Sequence, residues 1–336
     1  MRLYKHRANY TLGSNSSLPF LSLLAIHKAR MGGDKDLIDG KERERPSDEL
    51  IRALASHVHT LAGQIGQRNL YLPGSLSRAE RYISSTLMSF GYTVGRQTYQ
   101  VDGVEFVNLF VEIKGARQGD EIVVVGAHYD TVLGSPGAND NASGVAAMLE
   151  LARQFKSHKP NRTLRFVAFA NEEPPYFHTE HMGSYVYARW CRAQNEKIVA
   201  MISVETIGYF TDAPCSQYYP PPMGLFYPGR GDFIGVVGCT KYGWLVREIV
   251  KVFRDVGLIP VEGGAFPAAI PGISWSDHWS FWQHGYPAVM ITDTAPFRYP
   301  YYHSEQDTPD KLDNERLACV VLSLKGAIFS LTNRLK

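Results

Sequence analysis

No stretch of the sequence approaches the roughly 20 consecutive apolar residues that a bilayer-spanning helix needs, so no helical membrane span is expected. Cysteine is scarce: Cys191, Cys215, Cys239 and Cys319 lie far apart and form no CxxC pair. That spacing argues against a zinc–thiolate centre and a disulfide framework, and the four read as buried free thiols. Neither sign of charge dominates, with 35 Lys and Arg against 33 Asp and Glu. A formal net charge of +2 without a long basic run leaves no footprint for nucleic acid or an acidic surface. Internal repeats and low-complexity tracts are missing as well.

What is there is a large core. Hydrophobic residues make up 44% of the 336 and charged residues 20%, which is ordinary for a soluble globular chain. The beginning of the chain stands apart. Arg2, Lys5 and Arg7 precede the apolar Leu18–Ile26, in the order of a signal peptide's charged and apolar regions. His27-Lys28-Ala29-Arg30 then stands where a small-residue cleavage site would be, and residues 31–47 are charged, Gly-containing and aperiodic. Residues 1–46 therefore read as a poorly ordered leader and linker, and residues 47–336 as one domain. A soluble protein is expected, with cytoplasm and export both open.

Helical and strand periodicities alternate through that domain. Ser47 caps a helix whose apolar face is Leu50, Leu54, His57, Val58 and Leu61. A second helix is expected over 77–90, then two strands, 92–101 and 104–113, joined by the hairpin dipeptide Asp102-Gly103. Buried strands are expected over 122–125, 163–170, 198–204, 233–237 and 287–292, with helices from Ser143 and over 183–195, 242–256 and 314–335. Residues 209–233, rich in Tyr, Pro and Gly, form a long loop of the kind that is usually functional. The fold class is three-layer α/β, a mostly parallel mixed sheet with helices on both faces.

The chemistry is expected around Glu121–Glu150, EIVVVGAHYDTVLGSPGANDNASGVAAMLE. An apolar strand, a polar loop and a helix follow one another there, as at the active sites of open α/β sheets. Polar clusters follow the other apolar strands too: Glu172-Glu173, Glu205, and Tyr301-Tyr302-His303-Ser304. Taken singly, each has a bland reading. A lone His after a strand is usually structural, an acidic pair is a solvated turn, and an Asp in NDNASG is a helix N-cap. Taken together, His128, His303, Asp140, Glu172, Glu173 and Glu205 are two imidazoles and four carboxylates without a thiolate. That set suits zinc or another borderline divalent ion better than magnesium. The surplus of carboxylates invites two ions sharing one of them.

GAHYDTVLGSPGANDNASGVAAMLELAR, followed in order by RFVAFANEE, SVETIGY, SDHWSFWQHGYPAVM and YYHSEQDTPD, resembles the co-catalytic zinc aminopeptidases of metallopeptidase family twenty-eight. Glutamate carboxypeptidases and glutaminyl cyclases belong to the same family. The resemblance runs from about Ser47 to the C-terminus. It implies a catalytic domain with two zinc ions and a peptide substrate with a free N-terminus. His128 would bind one zinc, with Asp130 on its other ring nitrogen, and Asp140 would bridge. Glu173 and His303 would bind the second zinc, and Glu172 would be the general base. Glu205 stands where the family most often has Asp. Tyr302 would stabilise the oxyanion, while Asp277 and His278 would support the site from behind. Pro174–Met182 is an insertion, and its His178 and His181 are expected on a pocket wall or facing solvent. The aromatic segments 209–233 and 297–302 imply an apolar first side chain. Three rival readings are a single-zinc glutaminyl cyclase, a carboxypeptidase and a non-catalytic binding module.

Overall fold

The computed structural model describes residues 45–334; the leader and linker expected over residues 1–46 lie almost wholly outside them. Ser47 accepts the Leu50 amide and caps α1 (Asp48–Val58), which continues as a wider π-type turn over His59–Ile65. Next come α2 (Ser75–Ser89), β1 (Gly95–Val101) and β2 (Val104–Ile113). The turn between the two strands is Asp102-Gly103, both at positive φ as a tight hairpin requires. Then follow β3 (Gln118–His128), α3 (Gly144–Phe155), β4 (Arg162–Phe169), α4 (Gly183–Ala193) and β5 (Lys197–Val204). The second half adds β6 (Ile234–Cys239), α5 (Gly243–Val256), β7 (Val261–Phe266), α6 (His278–Gln283), β8 (Ala288–Thr292) and α7 (Asn314–Asn333).

The eight strands form one sheet in the order β1-β2-β4-β3-β5-β8-β6-β7. Its four central strands, β4, β3, β5 and β8, run parallel. β2 and β6 pair antiparallel on either side of them. The larger core lies on the face carrying α1, α2, α3, α5 and α7, and a smaller one under α4 and α6 on the other face. The sheet is therefore mixed, with helices on both sides. β3 lies between β4 and β5, so the connection from β3 to β4 runs one way across the sheet and the connection from β4 to β5 runs back past β3 the other way. Such a switch point opens a crevice at the carboxyl ends of the strands.

Two of these elements escaped the sequence reading. β7 contains Gly263-Gly264, which looks like a breaker, and α6 is only six residues long. The cysteines are free as expected, but only Cys191 is buried; Cys215 is exposed on the 209–233 loop. Among the described residues no helix is long and apolar enough to cross a membrane.

One buried side chain ties the crevice to the rest. Arg68, fully enclosed, donates to the carbonyls of Tyr129 (2.8 Å), Pro136 (2.6 Å), Gly137 (2.9 Å), Leu61 (3.1 Å) and Gly66 (2.9 Å). Its planar fork joins the end of the π-turn to the loop that leaves β3. Gly137 has φ +65, and a Cβ there would meet the guanidinium at 2.9 Å. Arg68→Met should leave these carbonyls without a donor and destabilise the fold by about 3 kcal/mol or more. Arg68→Lys should recover only part of this, because an ammonium cannot reproduce the fork. Urea denaturation checks it: a Met variant within ~0.5 kcal/mol of the parent would mean that water replaces the arginine without loss.

Candidate metal centre

β3 ends on His128, β4 runs on to Glu172-Glu173, and β5 runs on to Glu205, so three adjacent parallel strands deliver these side chains to one edge. The loop after β3 brings Asp140 back over them, and the loop after β8 supplies His303. Among the described residues, His128, Asp140 and Glu205 form one cluster of potential ligands, and Asp140, Glu173 and His303 form another. Asp140 belongs to both. Its Oδ1 lies 3.3 Å from His128 Nε2, and its Oδ2 lies 3.1 Å from His303 Nε2. Glu205 Oε2 is 3.2 Å from His128 Nε2, and Glu173 Oε2 is 3.4 Å from His303 Nε2.

These separations bear on whether a metal fits. Four ligands at 2.0–2.1 Å around a tetrahedral ion sit about 3.3 Å from one another. The four contacts match that spacing, and neither ring nitrogen of the buried His128 makes a hydrogen bond to protein. Glu173 Oε1 is likewise buried and unbonded. The donor set fits two divalent cations.

Two more carboxylates fix the backbone beneath the ligands. Asp130 accepts the amides of Glu172 (Oδ1, 3.1 Å) and Glu173 (Oδ2, 3.1 Å), while its Oδ1 stays 3.5 Å from His128 Nδ1. The residue expected on the other ring nitrogen of His128 makes its hydrogen bonds to the amides of the glutamate pair. Asp307 acts in the same way on the other side, accepting the amides of Asn139 (2.8 Å) and Asp140 (3.1 Å). Asn141, joined to Asp140 by a cis peptide, donates to Val204 O and accepts from the amides of Gly144 and Thr206. Ser276 donates to Glu205 Oε2 at 2.8 Å and contacts Ser203 Oγ at 2.8 Å. Arg68, Asp307, Asn141 and Ser276 were not singled out in the sequence. Each acts through backbone or another side chain; Asn141, Ser276 and Asp307 lie within the quoted motifs, but nothing in those motifs marks their partners.

Glu172 is buried beside both clusters and belongs to neither. Burial, with the charges of Glu205 and Glu173 added, pushes its carboxyl well above the usual range. Burial and then Asp140 push Glu173 up to about 7. For the histidines burial works the other way, and the carboxylates win. His303 is raised to about 11, chiefly by Glu173 and Asp140, and His128 is raised too, by Glu205, Asp130 and Asp140. Negative charge is in excess throughout.

The remaining expected residues lie around this centre. Tyr302 stacks on His303 with ring centroids 3.8 Å apart and, with Glu205, borders an apolar pocket. Asp277 is fully buried and raised by that burial to about 7; His278 donates from Nε2 to Ile273 O (2.8 Å) and is held down at about 4 by burial. In the inserted segment, His178 stacks between Phe177 (4.3 Å) and Trp279 (4.5 Å), with Nε2 2.7 Å from Ser274 O. His181 is exposed, edge-on to Tyr176. Neither joins a ligand cluster.

The model of peptidase family M28 matches residues 108–322. YfbL of Escherichia coli, a protein without an assigned function, is 40% identical over 256 residues, covering 74% of this chain and 78% of its own. Aminopeptidase YwaD of Bacillus subtilis is 51% identical over 201 residues, 59% of this chain but only 38% of its own length. Among solved structures, the glutaminyl cyclase of Fimbriiglobus ruber superposes with a TM-score of 0.65 at 22% identity, over 88% of this chain and 98% of its own. At that identity the likeness is one of fold alone. The sequence matches go further, and by them this chain belongs to peptidase family M28.

Proposed function

We propose that the protein is a di-zinc aminopeptidase that removes N-terminal residues from peptides. The observation that carries this reading is the division of Asp140, whose two oxygens face different histidines in two ligand clusters. His128 and Glu205 would complete one zinc site, and Glu173 and His303 the other. A single-zinc cyclase has no need of the second set. A carboxypeptidase reading loses support as well: Arg298 is buried, with Nε on Gln217 and Nη1 on Phe233 O, and Arg230 is exposed on its loop. The presence of Glu172 speaks against a binding module that has given up catalysis.

Bound at these residues, the two ions would supply an activated water and a Lewis acid for the scissile carbonyl. The chain's own groups account for the proton traffic. Glu172, outside both ligand clusters and held by its amide to Asp130, takes the proton of the attacking water and later delivers it to the leaving amine. A carboxyl raised by burial is suited to both halves of that exchange. The phenol of Tyr302, placed by its stack on His303, donates to the oxyanion of the tetrahedral intermediate. The acidic edge formed by Glu205 and Glu172 receives the substrate's α-ammonium. Glu205, longer than the usual Asp, is kept in place by the Ser276 hydroxyl.

Elemental analysis should approach two zinc equivalents per chain. Asp140→Asn, which weakens both clusters at once, should lose metal and activity together; a stoichiometry fixed at one despite supplementation would favour the cyclase. Glu172→Gln tests the mechanism most directly. It should keep its zinc and lose about 10²–10⁴-fold in both kcat and kcat/KM, measured on aminoacyl-p-nitroanilides. Glu173→Gln should instead lose zinc first. Normal turnover by Glu172→Gln, beside a zinc-loaded but inactive Glu173→Gln, would reverse the two roles.

A further inference from the structure

The apolar pocket beside the metal centre encloses about 90 Å³ and is built on one face of the sheet's second half. Alternation decides which side chains form its floor. On β6, β7 and β8, Ile234, Val236, Val261, Ala265, Val289 and Ile291 enter the main core. The intervening residues, Gly235, Val237, Glu262, Met290 and Thr292, face the pocket. Pairing then lines up a row across four strands. Val204 pairs with Ile291 on β8, so Glu205 lies level with Thr292; Thr292 pairs with Gly235, and Gly235 pairs with Glu262. Three strand spacings of about 4.8 Å put the Cα atoms of the two glutamates roughly 14 Å apart.

Between them stand a threonine and a glycine. A Cβ on Gly235 would come within 3.2 Å of Thr292 O, a tight approach, and glycine leaves the floor of the trough bare there. Its walls are aromatic, including Tyr219, Tyr227, Trp275 and Phe297. The phenols of Tyr219 and Tyr227 donate to backbone carbonyls, Pro228 O (2.8 Å) and Gly263 O (3.1 Å). Among the described residues, Glu205 at the metal end and Glu262 at the far end are the charged ones of the lining. Burial, followed by the Glu262 charge, raises the Tyr227 phenol, which places that carboxylate beside the aromatic wall. Arg298 lies behind the wall and is turned to Gln217 and Phe233 O, with Asp293 and Asp232 nearby to offset its charge.

Resting on the aminopeptidase reading, we infer that this trough takes the first side chain of the substrate, and that Glu262 selects lysine and arginine over apolar side chains of the same length. The gap suits a long unbranched stem. Methylene groups lie against the aromatic walls, the cationic head meets the carboxylate, and the rings add cation–π attraction. The apolar first residue expected from the loop's aromatic content is thereby narrowed to one with an apolar stem and a charged tip.

The test compares lysyl, arginyl, norleucyl and leucyl p-nitroanilides on the zinc-loaded enzyme and on Glu262→Gln. Norleucine matches the lysine stem without its charge, so its rate also reports whether the variant is folded. The parent should favour lysyl over norleucyl by about tenfold or more in kcat/KM. Glu262→Gln should bring the ratio near one while leaving norleucyl turnover within about twofold. Leucyl and norleucyl turned over as well as lysyl would overturn the inference and leave the aminopeptidase reading standing. An equal fall for every substrate in Glu262→Gln would reduce Glu262 to a structural part and overturn it too. No turnover of any anilide would sink both.

Discussion

A buried carboxylate that grips two consecutive backbone amides is used twice in this molecule. Asp130 holds Glu172 and Glu173; Asp307 holds Asn139 and Asp140. Hydrogen bonds to a charged acceptor are stronger than neutral ones, about 1.5–3 kcal/mol each. Two on one carboxylate fix the peptide plane between them as well. Side-chain direction at the strand ends then follows from backbone that cannot swing. Arg68 does the complementary work from below by collecting carbonyls, so the loop from Tyr129 to Asp140 is held through both kinds of backbone group. The negative charge that these clamps add at the edge also deepens its appetite for cations.

Much of this was legible in the chain. A fully apolar strand that ends in His, Glu-Glu or Glu signals side chains carried to one sheet edge, and β3, β4 and β5 do deliver His128, the glutamate pair and Glu205 together. The Ser47 cap and the Asp102-Gly103 turn are local events decided by local residues, and both occur as read. What escaped depends on distance in the sequence. Arg68 meets partners 61 to 69 residues away, and Asp307 meets Asn139 across 168. Arg68 has no periodicity or spacing that could announce it, and Asp307, although inside YYHSEQDTPD, gives no sign there of the amides that it holds. β7 was hidden for another reason: its two glycines depress strand propensity, while burial against β6 and α5 decides the outcome.

Sharing one carboxylate between two ligand clusters has a cost and a use. Asp140 is surrounded by His128 and His303, which together outweigh its burial and hold its pKa below the usual range. It is therefore ionised whenever the histidines carry charge or a cation takes the place of their protons. Glu173, next to Asp140 and deeply buried, is pushed the other way. Neighbouring acids in one cavity thus differ in how readily they give up a proton: Asp140 lies against two imidazoles, whereas Glu173 lies against one and is pushed up by burial and by the charge of Asp140.

The direction of β6 has a consequence for how such a protein can change. Because β6 and β7 run opposite to β8, their first residues, and not their last, sit at the edge where the candidate metal ligands gather. The long 209–233 segment must cross that edge to start β6, so it walls the pocket without passing through any strand that carries a ligand. Insertions or replacements there, or at the start of β7, alter the shape and charge of the trough while β3, β4 and β5 keep their register. On the proposed reading, side-chain preference and chemistry are written on separate stretches of chain, so the first can be altered without disturbing the second.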